Sequence, residues 1–182
     1  MGQPDNITEE QAAAAVSLYA PAGKACSRVK AHIFGLTVPQ PIAWCIAKKH
    51  QAIENRDWTP PEAMCPVGSW LAIHAGKKFD LDRALDIHER FNLEIPAALP
   101  SSAIVAVARF CGVVTAAQDP WFRGPFGWLL GDVVELPEPV PCRGFRKLWP
   151  LPLGVLEAVR GGWRVAKGLP ANVDRNTDIQ GR

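Results

Sequence analysis

The sequence lacks the features that mark common enzymes, secreted proteins and membrane proteins. It has no phosphate-binding glycine-rich loop, no Gly-x-Ser-x-Gly and no His-Glu-x-x-His, so the usual NTPase, hydrolase and zinc-protease motifs are absent. No apolar run reaches the length of a transmembrane helix, and the opening MGQPDNITEE has no basic region ahead of an apolar one. We therefore expect neither membrane insertion nor secretion.

Cysteine and histidine are also sparse. The five cysteines are an odd number, are widely spaced and include no Cys-x-x-Cys pair, which argues against a disulfide framework and a structural zinc site. The four histidines are scattered along the chain. This pattern predicts reduced thiols in the cytoplasm, no metal and no cofactor.

The charge is nearly balanced. A net charge of +2 is too small for avid non-specific nucleic-acid binding, which relies on many phosphate contacts. Any nucleic-acid site must therefore be local. With 48% hydrophobic residues in 182, the chain can form one substantial core, and we expect a monomer.

The two ends differ in composition from the centre. Residues 7–19 predict a helix in an N-terminal extension, residues 1–30, that either packs on the domain or contacts a protein partner. A basic patch follows at Lys24, Arg28 and Lys30. Residues 167–182 are polar without an apolar stripe, which predicts a disordered tail.

The central stretch, residues 35–58, predicts a strand, a short helix ending near His50, and a second strand lying alongside the first. The alternation of strand residues places Glu54 and Arg56 on one face. Two opposite charges on one face form either a recognition site or a structural ion pair.

The rest of the chain predicts alternating strands and helices. A third strand at residues 70–73 ends at His74, and Asp80 caps a helix with Leu81, Ala84, Leu85, His88 and Phe91 on its apolar face. His88 is expected in the core. Strands at 104–114 and 129–136 follow, the first with a bulge at Gly112, and then a short helix at 152–159 and an edge strand at 163–166.

An aromatic-rich segment lies at residues 119–128. Its four large aromatic residues either plug the domain or offer faces on which a base stacks. We expect Trp121 and Phe126 to be exposed on a loop, and Phe122 and Trp128 to be core.

Six blocks in order resemble the ASCH domain family: GLTVPQP at 35–41, IENRDW at 53–58, LAIHAGK at 71–77, IVAVA at 104–108, GPFGW at 124–128, and PCRG at 141–144 with LW at 148–149. The resemblance implies an α+β fold, a PUA-like mixed β-barrel with flanking helices, over residues 31–166. It also implies a cleft that binds RNA or a nucleoside.

A base or nucleotide would be recognised around Glu54 and Arg56, because a carboxylate accepts from exocyclic amines and a guanidinium binds phosphate or carbonyl oxygens. The predicted ligand-binding residues are Pro39, Gln40, Pro41, Trp44, Glu54, Asn55, Arg56, His74, Lys77, Trp121, Phe126, Gly127 and Trp128.

Catalysis is left open by the sequence. Family members that deacylate a modified cytidine carry a motif resembling Gly-x-Lys-Thr. When that motif is aligned with this sequence, Gln51 occupies the position of its lysine. An amide supplies neither nucleophile nor base, so Lys49 and Glu54 are the remaining catalytic candidates. We expect a binding module; the alternatives are a modified-cytidine amidohydrolase or ribonuclease, and a protein-interaction adaptor.

Overall fold

The computed structural model of the chain describes residues 33–170, which form one six-stranded sheet and three helices. The predicted helix at 7–19, the basic patch, the extension up to residue 30 and the tail beyond residue 170 lie outside the described residues. The strands are β1 Ile33–Gln40, β2 Ile53–Arg56, β3 Trp70–Phe79, β4 Ala103–Val114, β5 Phe126–Pro141 and β6 Leu148–Pro150. The helices are α1 Ile42–Ala47, α2 Leu81–Phe91 and α3 Leu153–Ala166.

The strand order is β2-β5-β4-β3-β1-β6, with β1 and β3 parallel and the other pairs antiparallel. The mixed α+β class is confirmed. The expected barrel is not: within residues 33–170 the sheet is open, with β2 and β6 at its edges. A side chain links β2 to β1, since Arg56 Nη2 on β2 donates to the carbonyl of Thr37 on β1 at 2.6 Å.

Each face of the sheet carries its own core, because alternate residues of a strand point to opposite faces. On the first face, Leu36, Val38 and Ile73 pack with α1 and with Ile87 of α2. On the second face, a smaller core contains Ala72, Ile104, Val107, Leu136, Trp149 and Val159. Thr37 and His74, which are partners in the β1–β3 register, therefore lie on the second face.

The prediction that β2 lies alongside β1 is wrong. β2 pairs with β5, and Glu54 and Arg56 stand opposite Trp128 and Phe126. The helix before it also ends earlier than expected, at Ala47. Lys49 adopts a positive φ of 62°, which turns the chain away from β1 before β2 begins.

Helix α2 begins as predicted but buries a different face. Asp80 caps it by accepting from the backbone N–H of Arg83 at 3.2 Å, and Asp86 pairs with Arg90 at 3.7 Å. The buried residues are Ala84 and Ile87, whereas Leu81 and Leu85 are exposed. His88 is exposed too, so the expectation of a core histidine is wrong.

The C-terminal element is one helix rather than a short helix and an edge strand. Residues Val155, Val159 and Trp163 recur every four positions and pack on the second core. The helix continues past Gly161 and Gly162, which brings Trp163 into this stripe, and residues 163–166 are helical.

Candidate functional site

A cleft of about 780 Å³ opens on the second face of the sheet, beside the β1–β3 pair. This volume falls within the roughly 300–1,000 Å³ typical of small-molecule sites. The cleft is lined by Thr37, His74, Gly76, Lys77, Ser102, Pro141, Cys142, Arg143 and Gly144. Its walls come from four separate strands or their ends, and a hydrogen bond of 3.0 Å from Cys142 N to Ser102 O joins the far wall to the start of β4.

His74 forms the inner wall of the cleft. It is only 2% exposed, and its Nε2 lies 3.1 Å from the carbonyl oxygen of Cys142. Because a carbonyl only accepts, Nε2 carries the proton and Nδ1 is left as an acceptor. Burial lowers the pKa of His74, an effect that the Cys142 carbonyl partly offsets. Among the described residues Nδ1 has no hydrogen-bond partner.

Gly144 fixes how closely the loop after β5 approaches His74. A Cβ at this position would lie 2.3 Å from His74 Cε1 and 2.7 Å from Thr37 Oγ1, so only glycine fits without displacing one of them. Thr37 Oγ1 donates to the carbonyl of Phe145 at 2.9 Å and accepts from Trp149 Nε1 at 3.2 Å. The wall of the cleft is thus held by hydrogen bonds on both sides of Gly144.

The cleft carries positive charge. Lys77 and Arg143 are exposed at its rim, and none of the lining residues is acidic. Phe145, next to the rim, is 48% exposed, and the Arg143 guanidinium lies 5.4 Å from its ring centroid. Such cations can bind phosphate, and the exposed ring beside them can stack on a base.

The Glu54–Arg56 pair lies behind the cleft rather than in it. Arg56 Nε is 3.0 Å from Glu54 Oε1, and the two side chains are 18% and 6% exposed. The contact is an ion pair without the alignment of a hydrogen bond, since Nε has no geometrically acceptable acceptor among the described residues. Burial raises the pKa of Glu54, against the opposing effect of Arg56 and Arg83.

Two residues of the predicted ligand-binding set, His74 and Lys77, line the cleft. Gln40 is buried and has its own partners: its Nε2 donates to the carbonyl of Pro100 at 2.8 Å, and its Oε1 accepts from Trp44 N at 3.0 Å. The remaining members lie outside the cleft lining, namely Pro39, Pro41, Trp44, Glu54, Asn55, Arg56, Trp121, Phe126, Gly127 and Trp128.

The predicted exposure of Trp121 and Phe126 is wrong. Trp121 is 3% exposed and stacks on Phe91 at 4.0 Å between ring centroids, while Phe126 is half-buried as the first residue of β5. Trp128 is fully buried, as expected. Trp121 is therefore part of the core, and helix α2 supplies its aromatic partner.

Gln51 has a structural role. It is 1% exposed, and its Nε2 donates to the carbonyl of Ile53 at 2.6 Å. Lys48 is paired with Glu135 at 2.8 Å. Lys49 is exposed and is not among the cleft residues, so the structure places no lysine from this turn in the cleft.

Sequence reasoning missed Ser102, Arg143 and Phe145. The segment Arg143-Gly-Phe-Arg-Lys147 carries a signal that was available, since it interleaves an aromatic residue with three cations after a proline-rich strand. The described residues include no group of three or more His, Cys, Asp or Glu side chains arranged to hold a metal ion. None of the described helices has the length and hydropathy needed to cross a bilayer.

No protein-family model and no curated protein matches the chain. Solved structures do. The ASCH protein of Zymomonas mobilis is 11% identical, with 70% of this chain and 93% of that chain covered and a TM-score of 0.45. A tyrosine-to-phenylalanine variant of that protein is also 11% identical, with 71% of this chain and 96% of that chain covered and a TM-score of 0.46. A serine-to-alanine variant is 11% identical, with 71% and 95% of the two chains covered and a TM-score of 0.44.

These structures are of the family that the sequence resembles. At this identity and TM-score the likeness carries no conclusion about function.

Proposed function

We propose that this protein binds single-stranded RNA or a nucleotide in the cleft between His74, Lys77 and Arg143. The observation that carries the proposal is a cleft with two cations at its rim, an exposed aromatic ring beside it and no acidic residue in its lining. A local cationic site fits a chain whose net charge is only +2.

Each group has a role that its chemistry suits. Lys77 and Arg143 bind phosphate oxygens, and Phe145 stacks a base. In single-stranded RNA an unpaired base can present its exocyclic amine to the buried Nδ1 of His74, which accepts a hydrogen bond from it, whereas a closed duplex holds that amine in base pairing. Because polar groups at the back of a pocket fix orientation, His74 is the residue that selects among ligands.

Glu54 and Arg56 take part indirectly in this proposal. Arg56 holds the carbonyl of Thr37, and the Thr37 side chain lies in the cleft wall. The pair therefore positions the wall, whereas the sequence suggested that it contacts the base.

A binding module is favoured over the two alternatives. An adaptor that acts through an apolar patch does not require a cationic cleft. A deacylating enzyme of the type that the sequence resembles needs a lysine at the position of Gln51, and Gln51 is a buried amide outside the cleft.

The test is fluorescence anisotropy with a short single-stranded RNA, the same sequence as a duplex RNA, and duplex DNA. Wild type should prefer the single strand and show a shallow salt dependence. Each phosphate contact in a single strand contributes about −0.7 to the slope of log K against log salt. Lys77→Ala/Arg143→Ala removes two such contacts, so the slope should become shallower by about 1.4.

The matched control is Arg160→Ala, which removes an exposed cation on α3, away from this cleft. It should leave RNA affinity unchanged. Equal losses in the control and the cleft variant, or equal affinity for duplex DNA and single-stranded RNA, would contradict the proposal.

A further inference from the structure

A second basic feature lies on the first face of the sheet, where three arginines surround one aspartate. We call Arg83, Arg90 and Arg123 the arginine cluster. Arg83 Nη1 and Arg90 Nη1 lie 3.3 and 3.7 Å from the same oxygen of Asp86, Oδ2, and Arg123 Nη2 contacts that oxygen as well. None of the four residues lines the RNA cleft.

The positive charge of the cluster is larger than the negative charge that contacts it. One carboxylate faces three guanidinium groups, which leaves an excess of two positive charges. The neighbouring carboxylates have other roles: Asp80 caps α2 and lies 3.6 Å from Lys78 Nζ, and Glu54 pairs with Arg56. Asp82 and Glu89 are exposed residues of α2, and the carboxylate that pairs with the cluster is that of Asp86 rather than either of these.

The like charges are close enough to perturb one another. Burial lowers the pKa of Arg83, and the charge of Arg123 lowers it further, against the opposing effects of Asp86, Asp80 and Glu54. The side chains of the cluster are 21%, 40% and 41% exposed, so solvent and small ions reach them. An anion with more than one acceptor oxygen would relieve this repulsion.

Arg123 is not needed to hold its loop in place. Asn55 Nδ2 donates to the carbonyl of Trp121 at 2.8 Å, and Asn55 Oδ1 accepts from the backbone N–H of Arg123 at 2.7 Å. Arg90 Nη2 donates to the carbonyl of Pro120 at 2.7 Å, and Trp121 stacks on Phe91. These contacts fix the loop through its backbone, so the Arg123 guanidinium is presented on a rigid support.

We propose that the arginine cluster is a binding site for a small phosphate monoester. Three guanidinium groups provide forked N–H donors, which match the oxygens of a phosphate dianion better than the single oxygen of Asp86 does. Asp86 keeps the guanidinium groups together when no ligand is bound. The site shares no residue with the RNA cleft and does not depend on the proposed function.

The experiment uses the full chain, with inorganic phosphate and adenosine 5′-monophosphate as probes and adenosine as the uncharged control. Binding is measured by calorimetry and by thermal unfolding, at constant ionic strength with chloride as the reference anion. In the wild type, both phosphates should bind and raise Tm, while adenosine should do neither through this site. Arg83→Gln/Arg123→Gln should bind phosphate at least roughly tenfold more weakly, a loss of about 1.4 kcal/mol.

Asp86→Asn separates binding from a structural role. Without its carboxylate the cluster should be destabilised in chloride, and phosphate should both restore Tm and bind severalfold more tightly than to wild type. Lys77→Ala/Arg143→Ala removes the cations of the RNA cleft, so phosphate that this variant still binds is held elsewhere. That remaining binding should disappear when Arg83→Gln/Arg123→Gln is added to it.

Three results would overturn the proposal: no phosphate binding by wild type, unchanged binding in the double arginine variant, or an Asp86→Asn loss of Tm that is the same in phosphate and chloride. Loss of phosphate binding in the cleft variant would assign the phosphate to the RNA cleft instead.

Discussion

The two sides of Thr37 use positive charge in opposite ways. Behind it, Arg56 is largely buried against Glu54, and its Nη2 donates to the backbone carbonyl of Thr37. In front of it, Lys77 and Arg143 stand exposed around a cleft without an acidic lining residue. The same kind of charge is structural where it is buried and paired, and available to a ligand where it is exposed and unmatched.

The comparison also separates stability from binding. Changes behind Thr37 should alter mainly the free energy of unfolding, and changes in front of it mainly ligand affinity. Each of the following variants tests one side against the other.

Glu54→Ala should have the largest effect, because it leaves the Arg56 guanidinium largely buried without a counter-ion. We expect the free energy of unfolding to fall by about 3–5 kcal/mol. The control is Asp132→Asn, which removes the charge of an exposed pair in which Arg109 Nε lies 2.6 Å from Asp132 Oδ2, the side chains being 42% and 60% exposed. Asparagine also suits the positive φ of 45° at this position. That change should cost about 0–1 kcal/mol. Similar losses in urea unfolding for the two variants would show that burial does not distinguish the pairs.

Gly144→Ala should affect both sides, since the added methyl group meets His74 on one side and Thr37 on the other. Overpacking typically costs about 1–3 kcal/mol, and the displaced His74 should weaken RNA binding more than it weakens the fold. Gly154→Ala in α3 is the matched control, because a Cβ there meets nothing within 4 Å. Retained RNA affinity in a destabilised Gly144→Ala protein would exclude His74 as a ligand-orienting residue.

The smallest effect is a pH dependence from Glu54, whose folded pKa is raised above the ordinary value of 4.5 by burial. The folded state then holds a proton that the unfolded state has released. The contribution of Glu54 is therefore complete below about pH 4.5 and is lost as pH rises through the folded pKa. As pH rises through the folded pKa of Glu54, the free energy of unfolding of wild type should therefore fall relative to that of Glu54→Gln. A difference between the two unfolding curves that grows more favourable to wild type with pH would mean that Arg56 outweighs burial.

The sequence predicted the elements whose causes are local. Asp80 caps α2 through a residue three positions away, and Gly112 interrupts β4 at a φ of 141°. The partner of β2 could not be predicted in the same way. It depends on the turn at Lys49 and on β5, which begins 70 residues beyond the end of β2.

Two errors concern the apolar faces of helices. In α2, Leu81 and Leu85 suggested the buried face, but Ala84 and Ile87 occupy it. The sequence predicted that the last helix ends at residue 159, but the stripe from Val155 to Trp163 continues α3 past Gly161 and Gly162.

The candidate site was predictable only in part, because its residues are brought together by the sheet. His74 and Lys77 were identified from one short block, whereas Ser102 and Arg143 reach the cleft from other strand ends. The burial of Trp121 depends on Phe91, 30 positions earlier, and no local pattern shows that contact.

The lengths of the strands have a consequence for association between copies of the protein. The two edge strands, β2 and β6, have 4 and 3 residues, whereas their sheet's inner strands β3, β4 and β5 have 10, 12 and 16. β6 also ends in Pro150, which has no N–H to offer a neighbour. The four residues of β2 pair only with residues 126–129 of β5, so among the described residues the same edge of β5 has no strand partner further along. There β5 carries Pro137, Pro139 and Pro141, which have no N–H to offer a neighbouring strand and so limit edge-to-edge association.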